Sequence, residues 1–98
     1  MLDFLDAVSI KDSIVNSIKM FESKLSDDLE VAIIINSLTI RPTAIAANTE
    51  KPLIYFSGTY SGATIQIIQH INQINFALIA VAKENPNQTA KRIGFTLG

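Results

Sequence analysis

The sequence predicts an α+β domain: an antiparallel β-sheet of four to five strands built from hairpins, carrying an N-terminal amphipathic helix and a second helix packed on one face. Three observations carry that prediction. Apolar residues recur at helical spacing near the N-terminus, β-branched runs follow from Glu30 onward, and the dipeptide Ser61-Gly62 separates two of those runs.

Ile10, Ile14, Ile18, Phe21 and Leu25 recur at three- and four-residue steps, and Val15 widens the stripe. That spacing puts one apolar face on a helix. Ser9 followed by Asp12 resembles a capping box, and Asp27 with Asp28 opposes the negative end of a helix dipole, which sets the expected stop. Leu2, Phe4, Leu5 and Val8 add a short preceding turn to this reading.

"VAIIIN" and "SLTIRPTAIA" read as strands, with Pro42 requiring an edge position or a bulge. "NTEKP" at 48–52 is a turn cluster, and "LIYFSGTYSGATIQIIQ" reads as a tight hairpin around Ser61-Gly62. The stretch "IQIIQHINQINFALIAV" divides: residues 64–69 continue the second hairpin arm, while Ile71, Ile74, Leu78 and Val81 fall at helical spacing. The spacing and Ala77, Ala80 and Ala82 predict a helix over 71–83. A buried central strand over 76–81, which needs no alternation, stands as the alternative. Pro86 ends the element, and "RIGFTL" is expected to return to the sheet as a short last strand. The whole is expected to be one domain over 1–98: a helical segment over 1–28 and a sheet-containing body over 29–98, since 98 residues cannot support two cores.

Composition then removes whole classes of function. The chain is 48% hydrophobic and 17% charged, more apolar than typical soluble domains. Yet its most apolar run, Phe76 to Ala82, falls far short of the about 20 residues that cross a bilayer. Asp3 and Asp6 stand where a secretory signal would carry basic residues, so a cytoplasmic protein is expected, with no membrane partner. Cysteine is absent, so no disulfide framework or thiolate chemistry is available. One histidine, His70, offers too little to build a metal site or a nucleophile–base arrangement, and no glycine loop is shaped to cradle a phosphate. A protein without catalytic activity, metal or cofactor is therefore expected. An apolar chain this small is also expected to cover itself by forming a homodimer or higher homo-oligomer.

Net charge is −1, but residues 1–30 hold three Lys against seven Asp and Glu, while residues 31–98 hold three Lys and two Arg against two Glu. No basic cluster exceeds Lys91-Arg92, which argues against duplex nucleic acid as a partner. Candidate ligand- or partner-binding residues are Gln69, His70 and Gln73, whose amides and imidazole suit neutral hydrogen-bond recognition, together with Lys91, Arg92 and Tyr60. Each has a plainer reading: His70 satisfied by backbone groups where the strand ends, the glutamines on a solvated face, Tyr55 and Tyr60 in cross-strand packing, and Arg41, Lys91 and Arg92 paired with the acidic first segment.

"GTYSG", "IQIIQHINQINF" and "KENPNQTAKRIGF" together resemble the C-terminal half of a small uncharacterised bacterial family that includes prophage-borne members. The matching positions are Gly58, Thr59, Gly62, Ile68, Gln69, His70, Gln73, Pro86, Lys91, Arg92, Ile93, Gly94 and Phe95. The resemblance covers about the last 40 residues and implies no established activity or catalytic residue. It does imply a mobile-element accessory protein. Two functions then compete. One is a non-enzymatic protein that inhibits or adapts a host factor by protein–protein contact, meeting a basic partner through its acidic first segment, Asp27, Asp28 and Glu30 included. The alternative is a homo-oligomeric binder of a small nucleotide-like ligand, with His70, Gln69, Gln73 and Arg92 converging on a pocket.

Overall fold

The computed structural model describes residues 6–93. Its elements run α1 (Ala7–Glu22), β1 (Leu29–Ile35), β2 (Leu38–Ala46), β3 (Leu53–Tyr60), β4 (Ala63–His70), a 3-10 turn over Ile71–Gln73, and β5 (Phe76–Ala82). The five strands make one antiparallel sheet in the order β4-β3-β2-β1-β5. The fold is α+β.

Helix α1 buries Ala7, Ile14, Val15 and Ile18, the stripe that its spacing requires. Its cap lies one turn earlier than the Ser9–Asp12 pair: the Asp6 carboxylate accepts from the Ser9 amide at 2.7 Å. An ionised acceptor at the first free amides is favoured by the helix dipole as well as by the hydrogen bond. The helix also ends before Asp27. The Ser23 hydroxyl donates to the Met20 carbonyl at 2.7 Å, and Lys24 and Leu25 close tighter three-residue bonds to Phe21 and Glu22. A side chain that competes for a helix carbonyl gives the backbone a way out.

Two hairpins turn on two residues each. Asn36 and Ser37 both have positive φ (53° and 65°), as do Ser61 and Gly62 (49° and 83°). Paired left-handed residues twist in the sense of the flanking strands, which is why such turns close hairpins. The first of these turns carries no glycine, and only the second was evident from the sequence.

The segment over 71–83 is the main correction. It is not a helix: a single 3-10 turn at Ile71–Gln73 precedes β5, and no second helix packs on the sheet among the described residues. All seven β5 residues pair with β1, from Leu29↔Ala82 to Ile35↔Phe76. Alanine favours helix by only tenths of a kcal/mol per residue, and a complete ladder against a buried strand outweighs it. Of the expected last strand, residues 94–97 lie outside the described residues, and Arg92 and Ile93 are not in strand conformation.

The sheet is strongly coiled, and the chain lengths demand it. In a flat sheet β4 would end and β5 begin at opposite corners, about 30 Å apart by strand spacing and rise. The six steps from His70 to Phe76 reach about 20 Å at most. The corners are brought together by twist and by a bulge in β2, where the register to β3 shifts between Pro42 and Ala44. The Phe56 ring of β3 then meets the Phe76 ring of β5 at 5.5 Å between centroids, although two strands separate them in the sheet. Inside the coil, Val31, Ile33, Ile35, Ile40, Ile45, Ile54, Phe56 and Ile67 pack with Ala7, Ile14 and Ile18 as the core.

Residues 83–93 fold back and are fastened by two buried carboxylates. Glu30 is 6% exposed; its Oε1 accepts from Arg41 Nη1 at 2.9 Å and from the Glu84 amide at 3.2 Å, and its Oε2 accepts from the Lys91 amide at 2.7 Å. The buried Glu22 accepts from the Ile93 amide at 2.7 Å.

A methyl group on Gly58 would collide with the Arg41 carbonyl oxygen at the bulge. Gly58→Ala is therefore expected to cost about 1–3 kcal/mol in urea denaturation, and an unchanged midpoint would show that the bulge yields freely. Glu30→Ala strands the Arg41 guanidinium and two amides and is expected to cost about 3–5 kcal/mol, with Glu30→Gln costing less. Hydrogen exchange at the Lys91 and Glu84 amides should accelerate in both variants, and unaltered exchange there would contradict the fastening role.

Candidate functional site

Alternation along β4 ("ATIQIIQH") places Ile65, Ile67 and Gln69 on the core face and Gln66, Ile68 and His70 on the other. The last turn of that pattern is inverted. Gln69, opposite the fully buried Ile54, is only 9% exposed, while Ile68 beside it is 53% exposed. The amide has taken the place of an aliphatic side chain. Its Oε1 is buried and accepts no hydrogen bond. Leaving such an acceptor unsatisfied costs about 1–3 kcal/mol, and buried polar atoms without partners are rare in folded proteins.

Gln69 opens on a groove of about 510 Å³ where the two sheet corners meet. Its polar rim comes from Asn36 and Ser37 of the first hairpin turn, Gln73 of the 3-10 turn, and Asn75; Ile34, Phe76 and Ala77 supply apolar surface. No lining residue is charged. The arrangement can offer amide donors and acceptors around an apolar floor, which suits neutral planar groups. Its one hydroxyl, that of Ser37, has no titratable side chain beside it in the lining to act as a base. A smaller cleft of about 320 Å³ lies between α1 and Ile71, Ile74 and Phe76, but its polar groups are serines, and the Ser17 hydroxyl is spent on the Ser13 carbonyl.

The six residues singled out in the sequence fall in four places. Gln69 and Gln73 share the groove. His70 lies next to it but belongs to the other face of β4; its Nδ1 accepts from the Asn72 amide at 3.0 Å and so caps the 3-10 turn. Tyr60, 39% exposed, sits at the tip of the β3–β4 hairpin, about 24 Å of strand from His70. Lys91 and Arg92 belong to the fastened C-terminal segment. Arg92 donates from Nη1 to the Leu29 carbonyl at 2.6 Å and from Nη2 to the Ser26 carbonyl at 2.9 Å, and Lys91 Nζ reaches Glu84 at 3.5 Å. The pocket of His70, Gln69, Gln73 and Arg92 is therefore not assembled within one chain. Nor is Arg41 part of an open basic patch, since it pairs with Glu30 and donates to the Ala82 carbonyl.

Asn36, Ser37 and Asn75 were not evident as site residues, because only the coil of the sheet brings them to Gln69. Gln69 itself left a trace: "IIQ" breaks the two-residue period of its strand. Beside the C-terminal clamp, the Asp28 carboxyl is held below its usual range, first by the Ser26 hydroxyl bonded to it, with its own backbone amide and the Lys83 charge acting in the same sense against a small desolvation effect.

Among the described residues, no three His, Cys, Asp or Glu side chains gather to hold a metal ion, and no helix is long and apolar enough to cross a membrane. No curated protein and no solved structure matches the chain significantly. A family of unknown function, DUF6173, matches over residues 3–96, so the match takes in the N-terminal half as well as the motifs of the C-terminal half. The chain belongs to that uncharacterised family along nearly its whole length.

Proposed function

We propose that this chain is a non-enzymatic binding protein that acts by protein–protein contact, and that the contact is made by adding a strand to the free edge of β5. One observation carries the reading: β5 is an edge strand whose seven residues, "FALIAVA", include no charge, no proline and no polar side chain. Among the described residues, no backbone–backbone hydrogen bond joins its outer edge to anything, and a side chain reaches its main chain only at the end, where Arg41 donates to the Ala82 carbonyl. Edge strands in soluble proteins are normally blunted by charge, proline or a covering element, because unpaired amides and carbonyls recruit further strands. An edge left both open and apolar is the usual platform for strand addition.

The acidic first segment is the weaker candidate surface. Glu22 and Glu30, two of its seven acids, are buried in the clamp and are not presented at the surface.

The first partner of β5 is a second copy. Antiparallel pairing of β5 with itself about Ile79 sets Phe76 against Ala82, Ala77 against Val81 and Leu78 against Ala80. A larger residue then opposes an alanine on either side of an Ile79–Ile79 pair at the axis, which is the complementarity that an isologous interface needs. The broader role, an accessory protein from a phage or prophage that occupies a host factor as inhibitor or adaptor, draws its support from the sequence resemblance of residues 58–95. The same edge would accept an extended host segment.

Sedimentation of the purified protein at several concentrations tests the contact. The native chain is expected to be a dimer, and Ile79→Lys, which opposes two ammonium groups across the symmetry axis, is expected to be a monomer with an unchanged circular dichroism spectrum. A native chain that stays monomeric at every concentration, or a variant that remains dimeric, would sink the β5 reading.

A further inference from the structure

We infer that the opposite edge of the sheet, β4, is a second docking edge, and that its occupant is an extended, uncharged segment of another protein rather than a second copy. The inference does not depend on whether β5 pairs. β4 ends the strand order on the side away from β5, and among the described residues nothing bonds to the main chain along its outer edge. Hairpin geometry says which groups stand free there. The pair that closes a two-residue turn, Tyr60↔Ala63, exchanges its main-chain bonds, and the pattern alternates from that point. Ala63, Ile65, Ile67 and Gln69 therefore bond inward to β3, while Thr64, Gln66, Ile68 and His70 turn their amides and carbonyls outward. Donors and acceptors alternating at strand spacing are complementary to the main chain of another extended polypeptide. The edge also lacks the usual guards, having no charge, no proline and no bulge.

The side chains narrow the occupant. From Pro52 to Ala82 the chain has no Asp, Glu, Lys or Arg, so a charged residue laid along β4 would lose water with no counter-charge opposite. Ile68 is 53% exposed and stands directly across from Tyr55 on the outer face, with the Gln66 amide one step along the same face. A fitting segment is apolar against Ile68 and neutral but polar against Gln66. A second copy fits poorly. The symmetric register that pairs all four outward residues with one another is centred on Ile67, and it sets Gln66 against Ile68 and Ile65 against Gln69. Each of those pairs opposes an amide to an aliphatic chain, which β5 paired with itself avoids.

A phage-displayed random peptide library, selected on the immobilised protein, tests the edge. Enriched peptides are expected to be uncharged over their paired stretch and to alternate apolar with polar residues. Added to ¹⁵N-labelled protein, the synthesised peptides should slow hydrogen exchange at the Thr64, Gln66 and Ile68 amides and leave the Leu78 and Ala80 amides unchanged. Gln66→Pro deletes an outward amide without touching the ladder to β3, and Ile68→Lys sets a charge on the edge. Each should weaken the peptides by about tenfold or more with an unaltered circular dichroism spectrum, and Ile79→Lys should bind them as the native chain does. If either β4 variant loses its spectrum, the exchange pattern of the native chain decides alone. No enrichment, protection at other amides, or undiminished binding by both β4 variants would overturn the proposal. Protection of the same three amides in the peptide-free protein would assign the edge to a second copy and overturn it equally.

Discussion

The Glu30 carboxylate is the interaction on which the rest of this structure depends. It is the second residue of β1, on the face of that strand turned away from the core, and it is almost wholly out of water. A buried carboxylate is tolerable only when its oxygens are occupied, and here they receive a guanidinium and two main-chain amides from residues 84 and 91. The arrangement converts a desolvation cost into a positional constraint. Residues 83–93 contribute one buried apolar side chain, Ala90, and would otherwise have little reason to lie where they do. Arg41 adds a second constraint by donating to the Ala82 carbonyl, which fixes the end of β5 against β2 across β1. Four charged side chains that looked like surface in the sequence, Glu22, Glu30, Arg41 and Arg92, are internal fastening.

Coil of the sheet is the second constraint, and it creates the places where function can reside. A bulge at Pro42, with Gly58 opposite so that the strands can approach, lets β2 serve two differently directed halves of the sheet. One pair of corners then closes over the core, joining Gln69 and Gln73 to Asn36 and Phe76. The other pair leaves the Ser61–Gly62 turn beside Val81 and Ala82 in a shallow depression of about 390 Å³. In the sheet itself β5 pairs with β1 alone, because the strand order leaves it at an edge. The groove is thus a product of curvature that no single strand encodes.

Local signals in the chain were correspondingly easy to read, and global ones were not. The α1 stripe, the Ser61-Gly62 turn and the irregularity at Pro42 each depend on a few adjacent residues, and each was evident before the structure. Residues 71–83 were not, because Ile71, Ile74, Leu78 and Val81 satisfy a helical period by coincidence, while the ladder to β1 involves residues some 50 positions away. Glu30 was read as part of an acidic surface for the same reason: its partners at 41, 84 and 91 are remote in sequence. His70 attracted attention as the only imidazole, yet its local role as a cap for Asn72 is the commonplace one. Gln69 is the instructive case. Its phase within β4 placed it on the core face, and three amides in five residues disguised that as a polar surface.

The β5 edge and the groove share two residues, Phe76 and Ala77. They open β5, and they line the groove. In an antiparallel β5 pair, Ala82 and Val81 of the second copy would stand opposite Phe76 and Ala77, at the groove's margin. A small alanine facing Phe76 leaves the ring accessible, whereas a larger residue there would lean into the mouth of the groove. Pairing would also remove the conformational freedom of an edge strand whose first two residues are part of the groove lining. Linkage then requires reciprocity: if assembly orders the groove, occupancy of the groove favours assembly by the same free energy. An apolar edge without charge and a groove lined by a buried glutamine meet at the same two residues.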